Sequence, residues 1–119
     1  MSARFDIRLD GDEFSGGDTV KGAVVVAWGA KARSLQVLLE FHEGTNEFET
    51  VVGAVSSGPL HEGDLEPGMA FPFALTLPGG AYPNFRSAHG RLYWDIHVHS
   101  DELGIDSHER RPVSVVPKR

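Results

Sequence analysis

Asp95, His97 and His99 are the residues of this chain whose types and spacing could do chemistry together. They alternate with Trp94, Ile96 and Val98, so in an extended strand all three polar side chains stand on the face opposite the apolar one. Two imidazoles and a carboxylate are all zinc ligands, and such a site needs a further strong donor from a neighbouring strand. Glu40 or His42 would serve if their strand lies alongside. The competing reading is a solvated outer face of an amphipathic strand, with nothing in the sequence to fix a second shell and no cofactor expected. Other chemistries have less support. The chain has no cysteine, which removes thiolate nucleophiles, thiolate metal sites and disulfides. No G-x-S-x-G elbow surrounds a serine, and Ser15 beside Gly16 reads as a turn residue. Asp10, Asp12 and Glu13 fall in a hairpin loop as solubilising charge, while Gly16-Gly17-Asp18 lacks the lysine and the following helix of a phosphate loop. Catalysis is not expected.

The elements that would position these residues are strands, because a period of two runs through the chain. Phe5, Ile7 and Leu9 alternate with Asp6 and Arg8; Val20, Val24, Val26 and Trp28 share one face with Gly22 as a gap. Phe71, Phe73, Leu75 and Leu77 repeat the pattern, as do Leu92, Trp94, Ile96 and Val98, and a short last strand carries Val113 and Val115. Over Ala32 to His42 a strand groups Leu35, Val37, Leu39 and Phe41, whereas a helix would group Leu35, Leu38, Leu39 and His42; the strand fits better. Residues 47–60 form one strand or two, and 60–69 and 79–90 are loops marked by Gly and Pro. About seven to eight short strands with Gly- and Pro-rich turns and no convincing long helix predict an all-β, antiparallel, immunoglobulin-like two-sheet sandwich.

Composition narrows the function classes. A length of 119 residues suits a single domain over 1–119. Eleven Lys and Arg against 17 Asp and Glu give a formal charge of −6, which disfavours nucleic acid and anionic membranes. No apolar stretch approaches the ~18 residues of a membrane span, and the N-terminus lacks the apolar run of a signal peptide. The expectation is a cytoplasmic domain with no membrane insertion.

Three segments in order carry a family resemblance. Phe14-Ser15-Gly16-Gly17-Asp18 leads into Val20-Lys21-Gly22-Ala23-Val24-Val25-Val26; Leu65-Glu66-Pro67-Gly68 leads into Phe71-Pro72-Phe73-Ala74-Leu75-Thr76-Leu77-Pro78. Tyr82-Pro83-Asn84-Phe85 then precedes Gly90-Arg91-Leu92-Tyr93-Trp94-Asp95-Ile96. The chain resembles the arrestin-like β-sandwich family, whose opening turn and V-x-G-x-V strand, F-P-F-x-L-x-L-P strand and P-S-F segment these match, over about Phe14 to Val98. Gly16 stands where that family usually has Pro, and Asn84 where it usually has Ser. Arrestins carry two such lobes and this chain has room for one, which makes the small prokaryotic branch, such as the sporulation-control proteins, the closer analogy. The resemblance implies a protein–protein adaptor or scaffold and not an enzyme.

Candidate partner-facing residues follow from the strand pattern. Ala23, Val25 and Ala27 lie opposite the core face of their strand and Leu38 opposite its own, open to a protein partner or a second copy, or covered by a neighbouring segment. Free edge strands offer another route, by backbone pairing. Tyr82, Phe85 and Tyr93 are the only candidate stacking aromatics for a carbohydrate-binding alternative, and the sequence leaves any small-molecule ligand unknown. Arg110-Arg111 and Lys118-Arg119 read as a small basic, solvated end. His42, His97 and His99 fall on outer faces, so protonation of all six histidines, which would bring the charge from −6 to zero, is expected to alter association as pH falls through about 6.5.

Overall fold

A computed structural model describes residues 2–118; Arg119, the last residue of the basic end, lies outside them. The strands are β1 (Arg4–Leu9), β2 (Glu13–Phe14), β3 (Thr19–Trp28), β4 (Ala32–Gly44), β5 (Glu49–His61), β6 (Ala70–Thr76), β7 (Phe85–Arg86), β8 (Arg91–Glu102) and β9 (Ser107–Val115). No helix occurs among the described residues, so none is long and apolar enough to cross a membrane. A three-stranded sheet, in the order β1-β3-β6, faces a six-stranded sheet ordered β2-β9-β8-β4-β5, with β7 also paired to β8. All pairings are antiparallel except the short β2–β9 contact. The predicted two-sheet sandwich is the fold, with nine strands of which two are two residues long.

The core fills the space between the sheets with the residues that the period of two selected. Val20, Val24 and Val26 of β3 and Phe73 and Leu75 of β6 meet Leu35, Val37 and Leu39 of β4, Trp94, Ile96 and Val98 of β8, and Val113 and Val115 of β9, all buried. Ala32 to His42 is a strand, as the grouping of Leu35, Val37 and Leu39 required; Leu38 points to the other face and is half-buried. Residues 49–61 form one strand. Two glycines are dictated by geometry. A Cβ on Gly22 would lie 2.1 Å from the Arg8 carbonyl oxygen of the paired strand, and Gly17 adopts φ 89° in the turn before β3.

Two expectations are corrected. Trp28 is not on the core face: it is 56% exposed, with the Arg4 guanidinium over its ring at 4.7 Å. Pairing steps from Phe5↔Val26 to Arg4↔Trp28, so β3 has one extra residue there, and the bulge reverses the alternation. The last strand is not short either; it begins at Ser107 and pairs with β8 from Ser100↔Ser107 to Trp94↔Val113. Its first half, Ser107-His108-Glu109-Arg110-Arg111, has no apolar alternation to reveal it.

Candidate functional site

The outer face of the six-stranded sheet carries a closed polar cluster where β4, β8 and β9 run side by side. Register places Glu40 opposite Asp95, Leu38 opposite His97, and Gln36 opposite His99. On the other flank of β8, His97 faces Arg110 and His99 faces His108. Residues of equal parity on three adjacent strands therefore bring Glu40, His42, Asp95, His97, His108 and Arg110 onto one surface. β4 is thus the neighbouring strand that a metal site on Asp95 would require, and both of its expected donors are in place.

This face is not a solvated one. Glu40, His42, Asp95 and His97 are all buried, although they lie on the face of the sheet turned away from β1, β3 and β6. They shield one another. The Tyr93 ring stacks on His42 at 4.6 Å and 2° between planes, and the His108 ring stacks on His97 at 5.0 Å. The Arg110 side chain lies across the carboxylates. Its Nη1 donates to Glu40 Oε1 at 2.6 Å and to Asp95 Oδ2 at 3.2 Å, while His42 Nε2 and Asp95 Oδ1 are 2.9 Å apart. Charge-assisted bonds of this kind are what allows two carboxylates to be buried together. His97 Nε2 pairs with His108 Nδ1 at 2.8 Å. Its Nδ1 is 3.1 Å from Glu40 Oε1 but out of line for a hydrogen bond, and is left buried without one.

Electrostatics follow the geometry. Burial pushes the Glu40 carboxyl up, but the hydrogen bond and charge of Arg110, helped by His97, outweigh it and hold Glu40 below the usual glutamate range. Burial pushes His97 down, the Arg110 charge adds to that, and Glu40 only partly opposes it. Burial would lower the Arg110 guanidinium, yet Glu40 and Asp95 together raise it. His99 is separate from this cluster. Its Nε2 pairs with Asp106 Oδ2 at 2.9 Å, and its ring stacks on His108 at 4.7 Å. The His99 hydrogen bond, with one from the Glu102 backbone N–H, holds Asp106 below the usual aspartate range.

Of the three residues singled out by spacing, Asp95 and His97 join the cluster and His99 stands beside it. The group whose donor atoms all lie within 4.8 Å of one another is Glu40, His42 and Asp95. Arg110 and His108 were missed, and Arg110-Arg111 is not a solvated basic end. Arg110 is the cation of the buried cluster, and Arg111 donates to the Ile7 carbonyl of β1. The signal was present only as charge interrupting an apolar pattern, which reads equally as a tail. The outer-face histidines also need correction: His42 and His97 stand on that face but are buried among charged groups.

The other candidates occupy different surfaces. Ala23 and Val25 are half-buried and Ala27 exposed on the outer face of the three-stranded sheet, between Asp6 and Arg8 of β1 and Ala70 and Pro72 of β6. Leu38 lies on the other sheet, beside His97. Tyr82 and Phe85 are exposed, whereas Tyr93 is engaged with His42.

No protein family's sequence pattern matches the chain, and no curated protein matches it in sequence. In three dimensions it is similar to the crystal structure of Spo0M, sporulation control protein, from Bacillus subtilis, with a TM-score of 0.70 and 19% identity. The match covers 97% of this chain and 49% of that one, so the chain spans about half the length of Spo0M. The likeness is one of fold, and the fold is the arrestin-like β-sandwich that the three sequence segments led us to expect.

Proposed function

We propose that this domain is a non-catalytic, cytoplasmic protein-interaction module that receives an extended segment of a partner protein along the free edge of β5. The observation that carries the reading is the edge itself. β5 is the terminal strand of its sheet, is 13 residues long, and has no charged residue between Glu49 and His61. Sheets ordinarily blunt such an edge with lysine, proline or a bulge. Here the second half is blunted by Pro59, by Gly58 at φ 69° and by register shifts against β4, and its end packs His61 on Phe71. The first half, Thr50 to Ser56, has neither lysine nor proline, and its one irregularity is the register shift that skips Val52 between Phe41↔Gly53 and His42↔Val51. Val51 and Val52 are 42% and 50% exposed, and Phe48 beside them is 67% exposed. An edge of this kind gives affinity through main-chain hydrogen bonds and selectivity through alternate side-chain positions. Spo0M is named a sporulation control protein, and binding to a partner is one way such control is exercised. The arrestin-like fold agrees with an adaptor.

The test is capture from the native host with wild type and with Val52→Lys, which places a charge on the edge at a position already half exposed. A defined protein retained at a fixed ratio by wild type and lost by the variant, at equal melting temperature, supports the reading. Light scattering of both forms reports whether the added strand is instead that of a second copy, in which case a wild-type dimer becomes a monomer in the variant. A wild type that is strictly monomeric and captures the same proteins as Val52→Lys overturns it.

A further inference from the structure

The buried cluster on the outer face of β4, β8 and β9 has a chemistry that edge binding does not use. Glu40 Oε1, His42 Nε2 and Asp95 Oδ1 surround one point, and Nη1 of Arg110 sits there, 2.6 Å, 3.5 Å and 3.3 Å from the three atoms. That nitrogen stands where a cation would be. Donor atoms around a four-coordinate zinc, at bonds of about 2.0–2.1 Å, are separated by roughly 3.3 Å. Here His42 Nε2 lies 2.9 Å from Asp95 Oδ1 and 3.9 Å from Glu40 Oε1.

Two further observations point to a divalent ion. The two carboxylates, Glu40 and Asp95, stand against the single positive charge of Arg110, a deficit that one M²⁺ in its place removes. His97 Nδ1 is buried, has no hydrogen bond, and lies beside Glu40 Oε1, the position of an additional donor or of a group that orients that carboxylate. Arg110 is also the removable member. Its side chain is 44% exposed, while those of Glu40, His42 and Asp95 are 11%, 6% and 5% exposed.

We propose that Glu40, His42 and Asp95 form a zinc-type divalent-metal site that the ion enters by displacing the Arg110 guanidinium into solvent. The carboxylates and one imidazole suit zinc and its cobalt analogue better than calcium or magnesium, which select all-oxygen sites. Arg110 acts as a gate that keeps the site charge-compensated in the metal-free protein. This site is independent of the β5 edge.

The experiment titrates untagged, chelator-stripped protein with Co²⁺ and Zn²⁺, reading heat and the visible d–d absorption of bound cobalt. Wild type is expected to bind one equivalent. Asp95→Asn and His42→Gln should each weaken binding about tenfold or more, whereas Arg110→Met should tighten it by a similar factor. His89→Gln, altered at a histidine in the exposed turn before β8, should change nothing. If Arg110→Met does not fold without metal, zinc-driven recovery of its circular dichroism supports the proposal, and failure to recover counts against it. The proposal is overturned if wild type and Arg110→Met bind no cobalt, or if binding is unaffected by Asp95→Asn and His42→Gln. The latter result would assign the ion to surface histidines.

Discussion

Removing the Arg110 side chain is the sharpest test of how this outer face is held together. In Arg110→Ala, Glu40 and Asp95 keep their burial but lose the guanidinium that bonds to both. A broken, fully buried ion pair costs about 3–5 kcal/mol and an exposed one about 0–1 kcal/mol. The carboxylate side chains are 11% and 5% exposed and that of Arg110 is 44% exposed, which places the loss between the two limits, at about 2–3 kcal/mol at pH 7. The sign of the pH dependence is fixed by the depressed Glu40 carboxyl. Its contribution is complete above the ordinary glutamate value and is lost as pH falls through the lower folded-state value. In the variant, burial without compensation favours the neutral acid, so wild type and variant should converge as pH falls through the lowered folded-state value of Glu40. Urea unfolding in the presence of chelator measures this as a lower midpoint with an unchanged slope at pH 7. A double-mutant cycle with Glu40→Gln should give a loss smaller than the sum of the single losses. Equal stability of Arg110→Ala and wild type at pH 7, or a gap that does not narrow as pH falls through the acid range, would refute the account.

Two further outcomes are expected. Gly22→Ala forces a methyl group to within 2.1 Å of the Arg8 carbonyl oxygen and can be relieved only by parting β1 from β3, so it should destabilise by about 3 kcal/mol or more; a melting temperature like that of wild type would contradict the close approach. Wild-type stability should also decline as pH falls below 6.5, because His97 is held below its ordinary value and the unfolded chain binds the proton more readily. The groups facing it are Glu40 from β4, Arg110 and His108 from β9, and His99 on its own strand. In His97→Gln the decline between pH 6.5 and 5.5 should be shallower by chemical denaturation, and an identical decline would remove His97 as its source.

What the sequence determined by itself was whatever a period of two can encode locally. Alternation placed Leu35, Val37, Leu39, Ile96 and Val98 in the core and set Asp95 and His97 on the opposite face, because successive side chains of a strand must point to opposite sides. The turn before β3 and the gap at Gly22 were legible for the same reason: each needs one residue type at one position. Tertiary structure decided the rest, since strand neighbours and register are non-local. Only the sheet order brings Glu40 and His42 of β4 against Asp95, and only the pairing of β9 with β8 carries Arg110 into the carboxylates. Arg110 and His108 lie on a stretch with no apolar rhythm, so nothing local separates that stretch from a basic tail. Burial on an outer face was equally hidden, because it comes from side chains on three strands closing over one another. The openness of β5 is likewise a property of its terminal place in the sheet order, and not of the residues Thr50 to Ser56 alone.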